Sequence, residues 1–122
     1  RVDLVVPVPL SPARLRERGY NQAWELAWRT ARQAGVLARS DLVQRQRETA
    51  TQVGLDLAAR LRNLQGAFAL TDPACALVRH RCVAVVDDVM TTGATAGAVA
   101  EALKRGGARS VHVWVLTRTP VD

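Results

Sequence analysis

Apolar positions along this chain recur with two different periods. Asp3 to Leu10 ("DLVVPVPL") is apolar without alternation, the pattern of a strand covered on both faces of a parallel sheet, and Pro7 and Pro9 must end it. The polar, basic "SPARLRERGYNQ" that follows contains Gly19 and reads as a loop. From Ala23 the residues Trp24, Ala27, Trp28 and Ala31 return at helical spacing, and Gly35 supplies the stop. The two tryptophans are expected to anchor the core face of that helix, base stacking being the alternative. A short strand is expected around Leu42 to Gln44, then a mobile polar loop. Leu57, Ala58, Leu61 and Leu64 restore the helical period up to Gly66, and "AFAL" reads as an edge strand. Cys82 to Val86 is a second buried strand, Ala94 to Arg105 a helix closed by Gly106 and Gly107, and Ser110 to Leu116 a third strand. Strand and helix alternate, so the expected fold class is α/β, a mostly parallel sheet flanked by helices.

In an open α/β sheet, ligands bind beyond the carboxyl ends of the strands, and "DDVMTTGAT", Asp87 to Thr95, is expected at such an end. Gly93 permits a tight turn, and the amides that follow open a helix, so several N–H groups and a positive helix end can converge on a phosphate. Thr91, Thr92 and Thr95 add hydroxyl donors. Neither the lysine-bearing P-loop spacing nor G-x-G-x-x-G is present. An ionised carboxylate only accepts hydrogen bonds, so Asp87 and Asp88 should face donors, and a ribose offers two hydroxyls close to its 5′-phosphate. A sugar phosphate satisfies both halves of the motif. The competing account is structural: two acids ending a strand and a threonine capping the next helix.

The chain has 122 residues, enough for one domain with one core, and residues 1–122 are expected to form a single domain. It starts almost directly on an apolar run, as expected if it is the C-terminal part of a longer protein. With 48% hydrophobic residues and no apolar run long enough to span a bilayer, a soluble cytoplasmic protein with no membrane span is expected. Net charge is +6, and all the basic residues except Lys104 are arginines, which suits phosphate-bearing partners; a general bias toward Arg and Ala would give the same excess. Cys75 and Cys82 lack metal or disulfide spacing, so no zinc site is expected in this chain. His80 and His112 receive no catalytic role.

"VAVVDDVMTTGAT" resembles the phosphoribosyl pyrophosphate (PRPP) signature of type I phosphoribosyltransferases. The resemblance implies that Asp87 and Asp88 hold the ribose hydroxyls at the catalytic position, and that Thr91, Thr92, Gly93, Ala94 and Thr95 hold the 5′-phosphate. "VPVPLSPARLRERGYNQA", the spaced residues Arg45, Arg47, Thr49 and Gln52, and "RLRNLQGAF" are similar to the ComF group of this superfamily, which is associated with bacterial competence for DNA uptake. ComF-like proteins usually carry an additional N-terminal cysteine zinc module, absent from these 122 residues. By the same resemblance, pyrophosphate falls to Pro9, Leu10, Ser11 and Arg14, with Arg16 and Arg18 nearby. Arg45 to Leu55 corresponds to a flexible loop that closes over PRPP, a plain connector being the other reading. Magnesium is expected to enter with PRPP, with no direct protein ligand.

Three function classes remain: a PRPP-dependent phosphoribosyltransferase with an unidentified acceptor, a PRPP-binding protein without turnover, and a competence factor that binds single-stranded DNA. The sequence favours PRPP binding first, catalysis second and DNA binding last. Any DNA affinity is expected to lie on Arg14, Arg16 and Arg18, with Tyr20 as a stacking platform, and to compete with PRPP. Oligomerisation is compatible with everything above.

Overall fold

The structure is a computed structural model, and it describes residues 1–10, 12–45, 66–90 and 94–118. Its centre is the pairing of β1 (Leu4–Pro7) with β5 (Cys82–Met90), parallel and in the register Leu4 to Val83 through Pro7 to Val86. β2 (Leu37–Ala38) adds to the free side of β1, and β6 (Ser110–Arg118) to the free side of β5, both parallel. The four-stranded sheet therefore has the order β2-β1-β5-β6. A separate antiparallel ribbon joins β3 (Val43–Arg45) to β4 (Phe68–Leu70).

Both faces of the sheet are covered, which explains why β1 and β5 read as unbroken apolar runs. On one face Val5, Ala84 and Val86 pack with Ala27 and Ala31 of α2 (Gln22–Ala34). On the other, Leu4, Val6, Val83 and Val85 pack with Ala74 and Val78 of α3 (Asp72–Val78), with Val99 and Leu103 of α4 (Ala94–Arg105), and with Phe68 of the ribbon. Two-sided burial needs no polar alternation.

Three expectations change. Residues 12–18 form a short helix, α1 (Pro12–Arg18), rather than a loop. Proline tolerates the first helical position and Arg, Leu and Glu favour the helix, but Leu15 is the segment's sole large apolar residue and it is exposed, so no apolar stripe announces it. In α2 the buried residues are Ala23, Ala27 and Ala31; Trp24 packs at the margin of that cluster and Trp28 is half-buried. Small side chains let the helix lie close on the sheet, and the tryptophans fill its flanks. The Trp28 indole N–H donates to Glu25 Oε2 at 3.4 Å and its ring carries the Arg29 guanidinium 5.3 Å from its centre. Finally, α3, β2 and the extension of β5 from Val86 to Met90 add to the elements expected from periodicity. The helix expected over Leu57 to Leu64 lies outside the described residues.

Two closures fix the layers. Gly35 caps α2 with φ 72°, a left-handed conformation open to glycine, and its amide bonds back to the last turn. Between β2 and β3, Arg39 grips Asp41 through two hydrogen bonds of 2.7 and 2.6 Å, which hold the Asp41 carboxyl below the usual carboxylate range. That pair is exposed, so its contribution to stability is small. Among the described residues no helix is long and apolar enough to cross a membrane.

Leu103 is fully buried between α4 and the sheet. Leu103→Ala should cost about 2–5 kcal/mol by urea unfolding through the cavity it leaves, whereas Leu37→Ser, at an exposed position, should stay within about 0.5 kcal/mol.

Candidate functional site

The strand order places a topological switch between β1 and β5. From β1 the chain runs through α1 and α2 to β2 on one side; from β5 it runs through α4 to β6 on the other. The connections leave the carboxyl ends of the two central strands in opposite directions, which opens a crevice between them, the usual ligand position in such sheets.

The segment after β1 is held against β5. The Val8 amide donates to Val86 O at 2.9 Å, one step beyond the last paired residue, and half-buried Pro9 and Leu10 come next. Asn21 then ties this edge to α2. Its Oδ1 accepts from the amides of Ala23 and Trp24 at 3.0 and 3.4 Å, capping the helix, while its Nδ2 donates to Val8 O at 3.2 Å. One side chain thus fixes the amino end of α2 onto the carboxyl end of β1. Sequence reasoning places Asn21 in a loop; an Asn just before an apolar helical repeat is the signal that could have found it.

Asp87 and Asp88 both lie within the carboxyl half of β5. Asp87 is half-buried, lies opposite Val115 of β6, and shares the sheet face of Val83 and Val85, the face covered by α4. Shortly after Met90 the chain enters α4 at Ala94, so Ala94 and the half-buried Thr95 occupy its first turn. That turn presents amides and the positive end of a twelve-residue helix to the pole where β1 and β5 end. Of the residues singled out from sequence, the fold collects Pro9, Leu10, Asp87, Asp88, Ala94 and Thr95 at this pole. Arg14 lies in α1, which also starts there. Arg45 closes β3 in the separate ribbon, its guanidinium 4.8 Å from the centre of the Phe68 ring. Ser11, Arg47, Thr49, Gln52, Thr91, Thr92 and Gly93 lie outside the described residues. Among the described residues no three His, Cys, Asp or Glu side chains are grouped as metal ligands.

Chemically, the pole combines hydrogen-bond acceptors on β5 with donors at a helix start, so it suits a ligand carrying hydroxyls at one end and an anion at the other. Curated proteins share most of the chain. It is 43% identical over 117 residues to DNA utilization protein YhgH of Escherichia coli strain K12, covering 96% of this chain and 50% of that protein. It is 37% identical over 116 residues to competence protein F of Haemophilus influenzae, covering 95% and 50%. The ComF and YhgH proteins are homologues of this chain over that stretch. No family model matches. The chain spans about half the length of these curated relatives.

Among solved structures, the glutamine PRPP amidotransferase of B. subtilis, complexed with ADP and GMP, superposes with a TM-score of 0.62 at 20% identity, over 95% of this chain and 22% of that one. A second structure, the allosteric regulatory enzyme of purine biosynthesis, gives 0.60 over the same shares. The fold of this ComF homologue is that of type I phosphoribosyltransferases.

The double role of Asn21 is separable. Asn21→Ala should lower stability by about 1–2 kcal/mol through loss of the cap, whereas Asn21→Asp keeps the capping oxygen and loses the donor to Val8 O. Urea unfolding of both variants should rank Ala as the more damaging.

Proposed function

We propose that this domain binds PRPP in the crevice between β1 and β5 and acts as a phosphoribosyltransferase of the ComF type. The observation that carries the reading is the order buried strand, Asp87-Asp88, Thr-Thr-Gly-Ala-Thr, helix α4, set at the switch point of a type I phosphoribosyltransferase fold. The ribose hydroxyls would donate to Asp87 and Asp88. The 5′-phosphate would take the amides and hydroxyls of Thr91 to Thr95, where the helix dipole favours negative charge. The pyrophosphate would lie along Pro9, Leu10 and Ser11 with Arg14, and Arg45 to Gln52 would cover it.

Transfer would break the bond from the anomeric carbon to pyrophosphate and form one to a nucleophilic nitrogen of the acceptor, through an oxocarbenium-like ribose. Placement and charge would supply most of the rate: anchored phosphate, fixed hydroxyls, and arginines facing the leaving group. Magnesium, when bound with PRPP, offsets the charge of pyrophosphate. Asp87 and Asp88 would act as ionised acceptors at the reacting sugar, with no proton transfer assigned to them. The names of the relatives, a competence protein and a DNA utilization protein, support a link between this chemistry and the handling of incoming DNA. Binding without turnover is the second reading, and the two are separated by experiment.

Calorimetry with PRPP and Mg²⁺ should show binding that Asp87→Asn with Asp88→Asn weakens by ~2–4 kcal/mol, because charge-assisted bonds to two hydroxyls are lost while shape is kept. Unchanged affinity in a folded double variant removes the ribose role. Gly93→Val should abolish binding by crowding the phosphate, and a PRPP or ribose 5-phosphate complex with its phosphate away from Thr91 to Thr95 overturns the cradle. A screen for pyrophosphate release across nucleobases then distinguishes a transferase from a binding protein.

A further inference from the structure

The amino-terminal pole of the sheet carries a second concentration of charge, opposite the crevice. Two turns meet there. The first, Arg79 to Arg81, connects α3 to β5; the second, Gly106 to Arg109, connects α4 to β6. The His80 amide donates to Gly107 O at 2.9 Å, and the Arg109 amide donates to Arg81 O at 2.8 Å. Gly107, at φ 104°, lies so close to Arg79 that an added Cβ would stand 3.3 Å from Arg79 Cγ. His80 itself adopts φ 64°, a conformation that a side chain with a Cβ takes at a cost, and the backbone bond to Gly107 holds it there. The two turns are therefore one rigid surface.

Arg79, Arg81, Lys104, Arg105 and Arg109 all project from that surface and all are exposed. Segments 79–81 and 104–109 contain no acidic residue. The acids at this end are already engaged: Glu101 pairs with Arg105 at 2.8 Å, and Asp3 accepts the Cys82 amide at 3.0 Å. Lys104 and Arg105 also occupy the last turn of α4, and Arg79 is the C-cap of α3, positions where cations favour a helix dipole, but Arg81 and Arg109 have no such local reason.

We infer that this pole is a docking surface for a nucleic-acid strand, gripped through its phosphates and separate from the crevice between β1 and β5. Arginine forks match phosphate oxygens in pairs, and their fixed turns present them without ordering cost in the backbone. A stable interface with a folded protein partner usually has an apolar centre. The large apolar side chains exposed among the described residues are Leu15, Tyr20, Leu37 and Val113, none of them in the two turns. With no Phe, Tyr or Trp in the two turns and no helix shaped for a groove, recognition rests on the backbone and is indifferent to sequence. This moves the expected contact away from Arg14, Arg16 and Arg18, and it stands whether or not the crevice binds PRPP.

The test is a titration of a labelled oligothymidine, about 20 nucleotides long, with the protein at several salt concentrations. Each phosphate contact contributes a slope of roughly 0.7 in log affinity against log salt, so Arg79→Ser, Arg81→Ser and Arg109→Ser together should flatten the dependence by about 2 and weaken binding on the order of tenfold or more at low salt. The matching triple change to lysine should keep the slope, which separates charge from damage to the turns. Arg16→Ser with Arg18→Ser should leave binding unaltered, as should PRPP at constant ionic strength. Overturning results are wild-type protein that does not bind, a serine triple variant that binds like wild type, loss of binding on changing Arg16 and Arg18, displacement by PRPP, or stronger capture of poly-glutamate, which would indicate an acidic protein partner.

Discussion

The parallel pairing of β1 with β5 is the contact on which the other features depend. These strands are distant in sequence, yet Leu4, Val5, Val6, Val83, Ala84 and Val85 are all essentially inaccessible to water, so the pairing sits at the centre of both hydrophobic layers. A slip of one residue would exchange the faces toward α2 and toward α4, exposing what is buried on each. The same register decides the chemistry. It sets Val8 beside Val86, and so brings Pro9 and Leu10 next to the acids of β5. A site built from two remote segments is here a consequence of core packing.

A parallel sheet also makes the molecule polar. All four strands point the same way, so α4 must return antiparallel to them, starting at the carboxyl pole and ending at the amino pole. Its positive end then faces the crevice and its negative end faces Arg79, Arg81 and Arg109. One helix thus turns a positive end toward the candidate crevice and adjoins a cationic surface at the other end. Composition alone could not reveal this, because a net charge of +6 says nothing about which pole carries it.

How much of the fold and the site is legible in the sequence depends on how each segment is stabilised. β1 and β5 are legible because two-sided burial leaves an uninterrupted apolar run, and the acid pair stands out as a candidate because it departs from that run abruptly. α1 is opaque: its residues favour a helix individually but bury no stripe, and periodicity is blind to such a helix. α3 is seven residues long with Pro73 in its first turn, too short to show a period, although Ala74 and Val78 are both buried. The face of α2 is easily misassigned because size suggests the tryptophans, while close approach to a sheet selects alanine. Asn21 illustrates a different limit. Its cap is local and readable, but its bond to Val8 O spans thirteen residues and exists only because α2 returns across β1.

The length of α4 bears on whether the two charged poles act on one another. Its twelve residues span roughly 18 Å, about twice the screening length at physiological salt, so exposed charges at the amino pole contribute little to the potential felt in the crevice. Direct electrostatic competition between a strand on Arg79, Arg81 and Arg109 and an anion at Thr95 should therefore be negligible. Any coupling would have to be mechanical, through a shift of α4 along the sheet. Val99 and Leu103 are fully buried against β5, and sliding them would cost packing on the same face that carries Asp87. Close packing opposes such a shift at small energies, so occupation of one proposed surface should leave the other unchanged.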